Sequence, residues 1–222
     1  MSAVAFKLVA KELYSYRWII AAAIVAGLFS LVIANTGEMA FNIGALAWLT
    51  TIIASGVMLP LYGIHQERKD RTLLFALSLP ISPLGYSRAK MAGILLSFLA
   101  LWSALTIGAA TLVLASRGIP DGLLPYVLML SSYLLVNFSL VMCCAFLSTS
   151  EIAISAAIIL TNMGVTVFMM LVVRAPAIAQ HMTAEAPVWN STFFLILGGE
   201  AAAIAIALSL PLIAISRRRD FI

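Results

Sequence analysis

Residues 65–90 read HQERKDRTLLFALSLPISPLGYSRAK, the one long polar interruption in an otherwise apolar chain. Arg68, Lys69, Arg71, Arg88 and Lys90 lie in it, five of the thirteen Lys and Arg residues. Between these charges runs an apolar patch, Leu73, Leu74, Phe75, Leu77 and Leu79, closed by Pro80. A solvated linker has no use for those leucines. Asp70 or Thr72 supplies a helix cap, Leu73/Leu77 and Phe75/Leu79 fall at i,i+4, and Pro80 ends the helix after about two turns. Two turns are not stable in isolation. The segment therefore needs a surface to lie on, either lipid headgroups or another protein.

Outward from this stretch the chain falls into six apolar segments, 18–34, 41–64, 91–115, 124–147, 152–173 and 192–215. Each is near the ~20 residues that cross a ~30 Å hydrocarbon layer as a helix. With 63% apolar and only 10% charged residues, the composition is that of a membrane protein, since a soluble domain has no interior large enough for so much apolar surface. The expected fold is all-α, one domain over residues 1–222 with six transmembrane helices. Residues 1–17 are expected to form an N-terminal interfacial helix, 65–90 a loop carrying a short helix between spans two and three, and 174–191 one or two short helices before the last span. The first apolar segment is long for a signal peptide and reads as a retained span. What remains outside the spans is too small for a soluble catalytic domain.

Charge sets the orientation. In a six-span topology the N-terminal segment, residues 65–90 and the tail Arg217–Arg219 share one side, which holds eleven basic residues, against Arg117 and Arg174 on the other. The positive-inside rule makes that side cytoplasmic, with both termini on it. The net charge of +4 then needs no nucleic-acid partner.

Within the spans, polar residues are few. In the N-terminal segment Val4, Leu8, Val9, Leu13 and Tyr16 form a stripe, and Lys7, Lys11 and Arg17 are placed for headgroups, as are Arg88 and Lys90 at the start of span three. Ala22, Ala26 and Ser30 offer span one a small-residue face. Thr50 and Thr51 are expected to bond carbonyls one turn back, and Pro60 to kink span two near its exit. Ser82 and Pro83 read as an N-cap and first helical position. Asn137 and Asn162, near the centres of spans four and five, suit an interhelical hydrogen bond or a substrate contact. The adjacent Cys143 and Cys144 read as packing residues. Asn190, Ser191 and Thr192 match a glycosylation sequon that abuts the sixth span.

Glu200 is the only carboxylate inside these six spans, ~12 Å along the last helix. A charged carboxylate at the bilayer centre costs roughly 2.5 to 3.5 kcal/mol on insertion scales, so Glu200 is expected to face protein or water, with protonation a further way to lower that cost. It serves either packing or a transport path. Gly199, Ala203 and Ala207 lie beside it as a second small-residue stripe.

The sequence has no GxxxxGK[ST], HExxH or GxSxG motif and no Cys/His metal cluster. An energy source, if one is used, lies on another polypeptide. At this point the chain resembles the ABC type-2 permeases, the membrane subunits of ATP-driven exporters. In that family an acidic residue at the end of span two leads into a Gly-Thr, a leucine-rich short helix, a Pro, and a Lys opening span three. Glu67, Thr72, Leu73, Leu74, Leu77, Pro80 and Lys90 match, while Arg71 stands where Gly is usual. The six-span plan, the amphipathic N-terminus, the short outer helices and the basic tail extend the likeness over the chain. The resemblance implies a permease domain in the bacterial inner membrane, paired with a second copy or paralogue and gripped at 65–90 by two copies of a cytoplasmic ATPase. ATP and Mg would sit on that partner, so this chain would not itself be an enzyme. The cargo expected from such apolar spans is lipid-like or amphipathic, with Glu200, Asn162 and Asn137 on its path. Two alternatives share the plan: a haem-exporter B-type subunit, suggested only by His181 beside Met182, and a vitamin-binding S component of an importer.

Overall fold

The computed structural model describes residues 3–66, 82–116 and 118–217, and they are helical almost throughout. The helices are α1 (Ala3–Ala34), α2 (Glu38–Pro60), α3 (Pro83–Ala115), α4 (Leu124–Leu147), α5 (Glu151–Arg174), α6 (Pro176–Ala179) and α7 (Ser191–Arg217). All but α6 are long and apolar enough to cross a membrane. The six spans of the sequence reading are therefore the six long helices. The short helix expected near Leu73 and Leu77 lies outside the described residues.

Residues 1–17 do not make a separate element. From Ala3 the helix runs unbroken to Ala34 over 32 residues, ~48 Å at 1.5 Å per residue and longer than the hydrocarbon layer requires. No Pro, and no Gly before Gly27, interrupts it. Its inner face is Ala5, Val9, Glu12 and Tyr16, all buried, and Ala5 and Val9 cluster with Ala89 of α3. The stripe expected to meet lipid thus turns slightly and meets protein, leaving Leu13 partly exposed.

α1 and α3 run parallel and in register from end to end. Lys90 Nζ donates to Glu12 Oε1 at 2.8 Å at one end, and Ser116 Oγ donates to Asn35 Oδ1 at 2.8 Å at the other. Close approach is permitted by glycine at two levels: a Cβ on Gly93 would lie 2.7 Å from the Glu12 Cβ, and one on Gly27 would lie 2.6 Å from the Leu105 side chain. α2 returns antiparallel against the same pair, where a Cβ on Gly44 would strike the Ser30 carbonyl and the Ala34 backbone.

Pro60 ends α2, and Leu61–Gln66 continue as a π-helical turn. A proline has no N–H for the usual bond and its ring crowds the carbonyl four residues back, so the chain widens by one residue where a plain kink was expected. Gly63 in this turn lets Ile94 and the Tyr16 hydroxyl approach. α3 begins as the sequence indicated: Ser82 Oγ accepts from Gly85 N at 3.2 Å, with Pro83 in the first turn.

The core lies where α2, α3 and α4 meet. Phe98 and Phe138 stack with centroids 4.0 Å apart, and Gly56 of α2 leaves room for the Phe98 ring. Ile52, Ile94, Leu101, Leu105, Leu134 and Met142 surround the stack. α4 is the central helix; 61% of its most apolar stretch is buried, against 17% for α7 and 11% for α5. α1, α2 and α3 thus form one group and α5 and α7 flank α4 on the other side. Thr50, Thr51, Ser131 and Ser139 donate to carbonyls one turn back, which satisfies hydroxyls in an apolar setting.

Between α5 and α7 there is one short helix, α6, where one or two were expected, followed by turns and extended chain. Asn190 organises this corner. Its Nδ2 donates to the Ala177 carbonyl and its Oδ1 accepts from Phe193 N at 2.9 Å, so the sequon side chain caps α7 with one end and ties it to α6 with the other. Gly122 N donates to the Ala184 carbonyl at 2.9 Å, and a Cβ at Gly122 would strike the His181 carbonyl.

Candidate functional site within the helix bundle

Glu200 faces α4 from the buried side of α7 and is 6% exposed. Neither carboxylate oxygen has a hydrogen-bond partner. Ser132 and Tyr133 of α4 are the polar side chains that act on it, and Ser132 stands outside hydrogen-bonding geometry. Buried polar groups are nearly always paired, so an orphaned carboxylate stands out among the described residues.

The surroundings of Glu200 are set by helix register. Counted from the ends nearest α6, Glu200 on α7 and Tyr133 on α4 each lie ~14 Å down their helices, and Gly164 on α5 lies ~15 Å down. They form one layer. A Cβ on Gly164 would sit 2.7 Å from the Tyr133 hydroxyl, so only glycine leaves the phenol its place, and Phe168 one turn away stacks on the Tyr133 ring at 4.2 Å. Thr106 is buried, and its hydroxyl also lacks a partner.

One turn deeper, Asn137 Nδ2 donates to Asn162 Oδ1 at 2.9 Å. This is the interhelical bond that the sequence suggested, and it closes the α4–α5 seam below Tyr133. Toward α6, α5 and α7 meet in a cluster of Met129, Val172, Ile178 and Phe193. Below that cluster both pack on α4 without extended packing on each other. Ser132 and Tyr133 are half-buried, so the layer opens toward this gap.

The remaining sequence candidates lie elsewhere. Glu67, Thr72, Leu73, Leu74, Leu77 and Pro80 fall outside the described residues. Lys7, Lys11, Arg17 and Arg88 are exposed at the end of the bundle that carries the N-terminus, and Arg17 stacks over the Tyr14 ring at 3.6 Å. Lys90, expected at the headgroups, is instead buried against Glu12, both side chains being about 5% exposed or less. Glu12 is thus a second carboxylate buried in a long helix, missed because residues 1–17 were read as lying on the surface. Its signal was present: it continues the Val9–Tyr16 stripe. Ser132 and Tyr133 were also missed, although Ser131-Ser132-Tyr133 is a run of three hydroxyl side chains in an apolar span. Cys143 and Cys144 are free, and Cys144 Sγ contacts the Ala153 carbonyl at 3.6 Å as a packing residue does. Among the described residues no cluster of three or more His, Cys, Asp or Glu side chains is placed to hold a metal ion. Compared with family models, curated proteins and solved structures, the chain gives no match.

Proposed function

We propose that this chain is the membrane subunit of an ABC-type exporter, moving a lipid-like or amphipathic cargo and driven by a separate cytoplasmic ATPase that binds residues 65–90. The observation that carries the proposal is how the flanks of that segment are held. α1 and α3 extend together past the last described turn of α2, roughly level with the Glu12–Lys90 pair. The segment therefore enters from the Leu61–Gln66 turn, packed on Tyr16 and Ile94, and leaves through the capped start of α3. A force applied at residues 67–81 reaches α1, α2 and α3 as a group, and α3 also packs on α7. In this reading the termini are cytoplasmic, the membrane is the bacterial inner membrane, a second permease copy completes the path, and ATP and Mg are held by the ATPase.

The test is Leu73→Asp combined with Leu77→Asp. Burying one leucine is worth ~1.5 to 3 kcal/mol, so the pair is expected to weaken ATPase docking by more than about a hundredfold. Insertion should be unaffected. Glu67→Ala is expected to be mild, since one exposed charge pair contributes about 0 to 1 kcal/mol. Affinity co-purification of the ATPase from native membranes reads both, and full retention in the double variant would end the proposal.

A further inference from the structure

The layer holding Glu200 carries a buried carboxyl group with no basic side chain beside it among the described residues. Among the described residues no Lys, Arg or His shares that depth: Lys7, Lys11, Arg17, Arg88 and Lys90 cluster at the far end of the bundle, while Arg174 and Arg217 stand at the last turns of α5 and α7 and His181 follows α6. Both carboxylate oxygens are unpartnered. Such groups are retained in a bundle when something supplies the missing donors.

We propose that this layer binds the cationic headgroup of an amphiphile, an alkylammonium ligand entering through the gap between α5 and α7. An ammonium brings up to three N–H donors, enough for the two Glu200 oxygens and the Ser132 hydroxyl. The stacked Tyr133 and Phe168 rings present the π surface that attracts a quaternary ammonium lacking N–H groups. The helices on both sides of the gap are strongly apolar, which suits a hydrocarbon chain. A hard inorganic cation is a poorer occupant, because six to eight oxygens are its usual shell and the layer offers two carboxylate oxygens and the Ser132 hydroxyl amid apolar side chains. As the recognition point for exported cargo the site rests on the exporter proposal; as a binding site it stands without it.

The experiment uses the full-length chain in phosphatidylcholine nanodiscs without any ATPase, with radiolabelled tetraphenylphosphonium as probe and dodecyltrimethylammonium and dodecanol as competitors. Saturable probe binding is expected, displaced by the ammonium and not by the alcohol. Glu200→Gln is expected to weaken binding by about ten- to a hundredfold, the usual range for losing a charged hydrogen-bonding partner, and Glu200→Asp to restore part of it. No saturable binding, equal displacement by dodecanol, displacement by sodium alone, or unchanged affinity in Glu200→Gln would each overturn the proposal. The competition series on the unmodified chain decides the matter even if a variant fails to fold. Loss of ATPase docking in the leucine variants, by contrast, bears only on the exporter reading.

Discussion

Glu12 and Lys90 show what a buried charge does when its partner is built in, and Glu200 what it does when the partner is not. The 2.8 Å pair joins α1 to α3 where both side chains are shielded, with Lys11 Nζ a looser 3.7 Å from the same oxygen. Removing one member of such a pair leaves an uncompensated charge, so Lys90→Met is expected to destabilise the protein by about 3 to 5 kcal/mol, whereas Glu12→Leu/Lys90→Met should recover most of the loss. Thermal unfolding of the purified variants in one detergent measures both; a double variant no better than Lys90→Met would show that the pair's cost lies in packing. At Glu200 the expectation is reversed. Glu200→Leu removes an orphaned carboxylate and is expected to raise the melting temperature, a trade of stability against function. A fall in melting temperature would mean that the carboxylate is paired and structural.

Between elements, the α1–α2–α3 group is set by glycines at helix contacts rather than by matched large side chains. The clearest case is Gly44, where the obstruction to a side chain is the backbone of α1. Backbone has no rotamer to yield, so Gly44→Ala should cost about 1 to 3 kcal/mol by overpacking. At Gly27 the obstacle is the end of the flexible Leu105 side chain, and Gly27→Ala should cost less. Chemical unfolding in mixed micelles ranks the two, and the opposite order would show that α1 shifts as a rigid body. The α5 helix is held differently, by the Asn137–Asn162 bond and the Tyr133–Phe168 stack on one face. Its other face is open.

For the whole molecule, the exposed apolar surface is uneven. On α7, Gly198, Ala202, Ala205 and Ser209 are exposed at helical spacing, and a Cβ on Gly198 meets nothing within 4 Å. On α1, Ala22 and Ala26 are also exposed, while the face used inside the chain runs through Gly27 and Ser30. Small-residue faces allow close approach of helices in lipid, and a second copy seated on α7 is the pairing that the exporter proposal requires. Ala202→Cys is therefore expected to trap a disulfide-linked pair in native membranes. Gly198→Leu should abolish that crosslink without lowering the melting temperature of the isolated chain. A crosslink that survives Gly198→Leu would move the contact to another face.

The sequence by itself determined the class, the number of long helices and most of their ends, because a ~20-residue apolar run between polar turns has one stable form in a bilayer. It also determined local bonds whose partners lie within a few residues, such as the Ser82 cap and the hydroxyls of Thr50 and Thr51. Glu200 was legible as an exception, since a lone carboxylate in an apolar span stands out without any coordinates. What surrounds it was not. Ser132 and Tyr133 join Glu200 only through the packing of α4 on α7, and which residues share a depth depends on helix register and tilt rather than on spacing along the chain. The same holds for Glu12, whose burial follows from the parallel, in-register contact of α1 with α3, a pairing between segments about eighty residues apart that no local pattern encodes.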